Sequence, residues 1–201
     1  MDKYKINDKK FTKKGVFYLR KRIGNTVMHS YPGMVAIVTA EWNGERNVMA
    51  AGWHTYISYD PPIYGVAVAK ERYTHHLIEN SKQFAINFVP AEKAEIIQFV
   101  GSNSGGNLDK FAQLSFTKGE TIEAPILKDA YIAYECKVID QNTYGDHDFF
   151  VGEITCFYKD VSLFTQDGLP QWEKLNIPLY LGRSKYLIAN DRATIVDLYK
   201  K

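Results

Sequence analysis

The pair Asn43-Gly44, set between Trp42 and Glu45, constrains this chain more than any other two residues. A two-residue type I′ turn needs positive φ at both central positions, and Asn-Gly supplies both, so the flanking segments must run antiparallel. Upstream, Met34-Val-Ala-Ile-Val-Thr39 reads as a mostly buried strand that begins after the Pro32-Gly33 break. Downstream, a return strand is expected over residues 46–58, ended at Pro61-Pro62 because proline cannot donate to a ladder.

Turn signals then recur along the chain. Residues 63–69 and 83–89 read as further strands, residues 130–140 and 149–159 as a long hairpin around Gly145-Asp-His147-Asp148, and residues 185–189 as a last strand. Short helices are expected over residues 75–80, with Thr74 as N-cap, and over residues 92–100, with Gly101 in the C′ position. Antiparallel strands at hairpin distance, joined by two or three short helices, predict a mainly β fold: a closed or nearly closed barrel with helical patches. The regular alternation of strands with long helices that a βαβ array needs is missing.

Composition narrows the partners. At 201 residues the chain is the size of one domain with a real core. Its 14 Tyr and 11 Phe suit a pleated surface. A net charge of +2 gives no bulk electrostatic reason to propose nucleic acid or a membrane, and the Lys/Arg pairs of the first 22 residues read as a solvated surface. No stretch approaches the ~18 apolar residues of a membrane span, and the first thirty residues lack an apolar signal core. Residues 1–30 are expected to form an arm ahead of a single domain at 31–201. Two cysteines make no disulfide framework, and Cys136 and Cys156 fall out of register on the proposed hairpin. A reduced, cytoplasmic protein is the expectation.

The candidate chemistry lies mainly between residues 47 and 74. Small residues (Ala50, Ala51, Gly52) surround Trp53, which is either core or the border of a ring ligand. Asn47, Thr55 and Ser58 are usable donors to ring carbonyls, or else strand side chains facing solvent. Arg72 and Thr74 stand where a strand gives way to a helix. A guanidinium and a helix start make an anion site there, unless they are a surface Arg and an ordinary cap. Lys110 offers a second positive charge.

His147 reads as a turn histidine. His75-His76, adjacent and without H-x-x-x-H spacing, gives no zinc site. The Ser/Gly-rich residues 101–107 are a linker or a loop hinged beside a site. Among them, Asn103-Ser-Gly-Gly106 lacks the preceding Asp of a trypsin-like nucleophile stretch. No G-x-S-x-G elbow, Walker A motif or G-x-G-x-x-G fingerprint occurs, so a nucleotide would be held by neither common route.

In order and spacing these pieces resemble the flavin reductase-like, FMN-binding split-barrel family, which includes flavoredoxins and NAD(P)H:flavin oxidoreductases. The matching stretches are Val35-Ala-Ile-Val-Thr39, the Asn-Gly turn, Asn47 followed by Trp53, Ser58-Tyr-Asp-Pro-Pro62 and Lys70-Glu-Arg72-Tyr-Thr74. Phe84-Ala-Ile-Asn87, Asp109-Lys110-Phe111 and Gly145-Asp-His147 leading to Val151-Gly-Glu153 complete the set.

The resemblance implies a six-stranded antiparallel Greek-key split barrel with a few short peripheral helices, which dimerises with one FMN per subunit near the interface. It implies flavin contacts at Asn47, Trp53, Thr74, Lys110 and His147, with Arg72 and Thr74 on the phosphate and Thr55 and Ser58 beside the ring. Lys110 and His147 reach the flavin from either subunit, and an aromatic near Tyr180 approaches it.

The implied activity is an NAD(P)H-dependent flavin reductase, passing hydride from the nicotinamide of NADH or NADPH to flavin N5, with His147 as the proton or nicotinamide contact. The alternative is an FMN electron carrier without a nicotinamide site, reduced by a partner protein. A barrel that has lost flavin is a third reading.

Overall fold

The structure, a computed structural model, describes residues 32–196 together with Arg22 and Gly24. The arm expected over residues 1–30 therefore lies almost wholly outside the described residues. In chain order the elements begin with β1 (Ala36–Trp42), β2 (Glu45–Ala51), β3 (His54–Tyr59), β4 (Pro62–Ala69), α1 (Tyr73–Ser81) and β5 (Gln83–Phe88). They continue with α2 (Ala94–Ser102), β6 (Phe116–Lys118), β7 (Pro125–Leu127), β8 (Ile132–Tyr144), β9 (His147–Lys159), β10 (Ile177–Gly182) and β11 (Lys185–Ala189). Three short 3₁₀ turns complete the set. Among the described residues, no helix is long and apolar enough to cross a membrane.

The founding turn forms as its residues dictate. Asn43 and Gly44 have φ of 51° and 81°, and Trp42 pairs with Glu45. Seven strands, not six, make the main sheet, in the order β2-β1-β5-β8-β9-β4-β3, and the ladders joining them are antiparallel. The extra strand arises because the expected 46–58 strand is two. It breaks at Gly52-Trp53, and the second half leaves β1 to pair with β4.

That break shapes the whole sheet. Laid flat, β2 and β3 would stand about 29 Å apart, six spacings of about 4.8 Å. Yet only Gly52 and Trp53 join them, and three Cα steps of ~3.8 Å span about 11 Å. The sheet is therefore curled until its two outer strands approach at one end, and the Trp53 carbonyl accepts from the Ala67 N–H at 2.9 Å there. Inside the curl, Val38, Val66, Leu77, Phe84, Ile86 and Phe150 are fully buried in one cluster. Val35, Ile37 and Val48 belong to a second cluster under α2, so β1 is buried on both faces and reads as a continuous apolar run.

Other boundaries moved for local reasons. α1 starts at Tyr73, with Arg72 in the N-cap position and no side-chain cap, so Thr74 is not the cap but a fully buried residue of the first turn. Gly101 lies inside α2 rather than after it. A Cβ there would sit 3.2 Å from Ala50 Cβ, so the missing side chain lets the helix lie close on β2. His147 is not in the turn but opens β9, opposite Tyr144 on one side and Ala69 on the other. Cys156 faces Glu135 and Cys136 faces Ile154, out of register as expected, and both thiols are free.

Candidate functional site

At the end where the sheet edges meet, a cleft of about 760 Å³ opens between β2, β4, the start of α1, the end of α2 and the β10–β11 hairpin. Its floor is the small-residue run Ala50-Ala-Gly52, with Ala67 and Ala69 beside it. Short side chains leave backbone exposed to a flat ligand. The volume lies within the range of small-molecule sites.

Five of the eight residues singled out from the sequence line this cleft: Asn47, Trp53, Arg72, Lys110 and His147. Thr74 stands directly behind them. Asn47, buried on β2, donates from Nδ2 to Thr74 Oγ1 over 2.9 Å, so the strand and the first turn of α1 are tied at the cleft wall. Thr55 and Ser58 do not line it. They lie further along β3, where the Thr55 hydroxyl donates to the Tyr56 carbonyl.

The charged end of the cleft is the start of α1. No side chain caps that terminus and no acidic residue sits in its first turn. Backbone N–H groups and the helix dipole therefore favour an anion there. Arg72 adds a guanidinium, more than half exposed and 3.7 Å from Glu71, which also lines the cleft.

Lys110 arrives by a different route. Asp109 accepts from the Phe111 N–H and caps a 3₁₀ turn, and the Phe111 ring is buried. Arg46, whose guanidinium lies 5.4 Å from Phe111 and 4.6 Å from Phe116, covers it. Lys110, between cap and anchor, is left pointing inward with only 3% of its surface exposed. Its Nζ donates to the carbonyls of Val100 and Asn103 at 3.1 and 3.0 Å. Burial pushes its pKa down to about 8.

Those two bonds settle what the Ser/Gly-rich stretch does. Asn103, Ser104 and Gly105 are a wall of the cleft, not a linker. Gly105 lies on the Asn47 amide so closely that an added Cβ would fall 2.4 Å from Oδ1 and 2.7 Å from Nδ2.

On the opposite wall the rings of Trp53 and His147 are 4.7 Å apart and tilted by 43°. Trp53 keeps 45% of its surface exposed, so it borders the cleft and is not core. Tyr180 and Tyr186, 5.3 Å apart on β10 and β11, close the far side. Tyr180 was expected near a ligand. Tyr186 had only its strand as a signal, and its partner β10 was hidden by Pro178.

Another group lies just behind. His75, Glu79 and Asp148 bring ligand atoms within 4.8 Å of one another. However, His75 Nε2 is 2.8 Å from Asp148 Oδ2, and the same carboxylate accepts from Thr143 Oγ1 at 2.7 Å and Gln141 Nε2 at 3.1 Å. The Thr143 hydroxyl, with His75 and Gln141, holds this carboxyl well below the usual carboxylate range. Its oxygens are spent on hydrogen bonds that lock β8, β9 and α1 together.

Comparison with known proteins places the chain. A profile for the flavin reductase like domain matches residues 28–186. The chain belongs to the flavin reductase-like family. It is similar to the FMN-binding protein of Thermus thermophilus, at 30% identity and a TM-score of 0.77 over 91% of this chain and 100% of that one. Against the flavoredoxin of Methanosarcina acetivorans the figures are 29%, 0.78, and 89% and 95% coverage. A flavin reductase solved with NADP+ gives 26%, 0.65, and 81% and 93%. The mainly β, few-helix architecture is thus that of the family.

FMN suits this cleft on the geometry alone. The small-residue floor admits a flat ring, Trp53 borders it, and the uncapped α1 terminus with Arg72 suits a phosphate, while Lys110, its Nζ bonded to two carbonyls, adds charge to the cleft wall.

Proposed function

We propose that the chain is an FMN-binding flavoprotein acting as an NAD(P)H-dependent flavin reductase, built as a split barrel. The observation that supports this most is the convergence, in one cleft, of an uncapped helix start with Arg72, a buried lysine and a half-exposed tryptophan. Held in that cleft, FMN would supply the redox chemistry, that of a hydride acceptor for a nicotinamide.

The chain's own residues bind and orient. Arg72 and the α1 terminus take the phosphate. The Asn47–Thr74 bond fixes the wall, Lys110 braces the Asn103–Gly105 wall and adds charge, and Trp53 limits the ring. His147, the candidate nicotinamide contact, faces the same space. Thr55 and Ser58 lie on β3 outside the lining of this cleft.

The open edge favours a homodimer with the flavin near the interface. Tyr59, on the edge strand β3, and Ile139, Tyr144 and Phe157, on β8 and β9, are more than half exposed, apolar side chains available to a second copy. Sedimentation at micromolar concentration tests it, and a monomer rejects it.

The second reading is an electron carrier reduced by a partner protein, and the flavoredoxin likeness favours it. Anaerobic mixing of the FMN-loaded protein with NADH and with NADPH separates the two. Bleaching of the flavin band within seconds supports the reductase, and an unchanged spectrum after an hour leaves the carrier.

A further inference from the structure

The β8–β9 turn sets Asp146 immediately before His147. Asp146 Oδ1 lies 2.7 Å from His147 Nδ1. This bond from the imidazole holds the Asp146 carboxyl below its ordinary range, so at neutral pH its oxygens only accept. The proton of the bond must therefore sit on Nδ1. In a neutral imidazole that leaves the lone pair on Nε2, and Nε2 has no hydrogen-bond partner among the described residues.

Two further contacts hold the ring in place. Trp53 lies against it at 4.7 Å, and the turn itself is tied to the end of β4 by the Lys70 N–H donating to the Asp146 carbonyl at 3.3 Å. The His147 side chain is 22% accessible and lines the cleft, whereas Asp146 is 88% accessible and stays outside it.

We propose that Asp146 is a positioning residue whose carboxylate sets the Nδ1–H tautomer of His147, so that Nε2 is offered to the cleft as a hydrogen-bond acceptor. The ligand group this selects is an N–H donor, such as the carboxamide of a nicotinamide or the imide of a flavin ring. Only the identity of that donor rests on the flavin reading; the tautomer does not.

The test uses ligand-free, ¹⁵N-labelled protein at a pH where the imidazole is neutral, with His147→Gln to assign the ring signals. The wild type should show a protonated Nδ1 and a bare Nε2. Asp146→Ala should lower the Nδ1–H to Nε2–H ratio by about fivefold, the effect of losing one ordinary hydrogen bond. Asp146→Asn, whose amide can accept from Nδ1–H through its oxygen or donate to a bare Nδ1 through its nitrogen, should fall between the wild type and the alanine variant. An unchanged tautomer in Asp146→Ala overturns the proposal. If the tautomers behave as stated while the protein binds no flavin, the flavin reading falls and the role of Asp146 stands.

Discussion

Asn47 and Thr74, 27 residues apart, are joined by a 2.9 Å hydrogen bond between buried side chains at the back of the cleft. Through it the hairpin strand β2 and the first turn of α1 move as one piece. Removing one partner strands the other's polar group in a dry site, which costs roughly 1–3 kcal/mol. Thr74→Val should therefore lower the melting temperature by about 2–12 °C, given the 2–4 °C per kcal/mol typical of this size. The Asn47→Leu/Thr74→Val pair should lose less than the two single losses added, and strict additivity would dissolve the coupling.

Gly105 makes a sharper demand. Its missing side chain leaves the Asn47 amide where a Cβ would intrude. Gly105→Ala should push the loop off Asn47 at a cost of about 1–3 kcal/mol, the usual scale of overpacking. Gly106→Ala, whose Cβ would meet the Tyr73 ring at 3.4 Å and Ser104 Oγ at 3.9 Å, both ordinary contacts, is the control and should be nearly silent. Urea unfolding of the two variants reads the difference.

Lys110 predicts a dependence on pH. Burial lowers its pKa from the ordinary 10.5 to about 8, so below 8 it is charged in both folded and unfolded chains. Between 8 and 10.5 the unfolded chain binds the extra proton, and stability gains from this residue as pH rises. The same loss of charge should weaken FMN binding above pH 8. In Lys110→Met the lysine's contribution to both trends should vanish, which parallel denaturation and flavin titrations from pH 7 to 10 would register.

Much of this architecture was legible in the residues. Asn43-Gly44 could form only a type I′ turn, and the apolar run at β1 could be buried only on both faces. Six of the seven main-sheet strands have direct sequence counterparts. The seventh was hidden because Gly52-Trp53 carries no strong turn signal: the break is tertiary, forced by the pairing of β3 with β4. Thr74 looked like a cap because Ser and Thr usually are, but a bond to Asn47 claimed its hydroxyl. Lys110 was legible as a second positive charge for a ligand, but nothing local says that Asp109 and Phe111 turn it inward. The glycine-rich loop became a wall only through two carbonyls that meet Lys110, a contact no spacing rule shows.

The proposed function puts a flavin phosphate at the start of α1, so the most direct measurement compares FMN with riboflavin in wild type and in Arg72→Ala. A charge-assisted hydrogen bond contributes roughly 1.5–3 kcal/mol, or about 10- to 150-fold in affinity. Wild-type protein should bind FMN at least tenfold more tightly than riboflavin, and Arg72→Ala should erase most of that gap while leaving riboflavin affinity nearly unchanged. Equal affinity for the two flavins in wild type, or a gap that survives loss of Arg72, would contradict a phosphate held at this helix start.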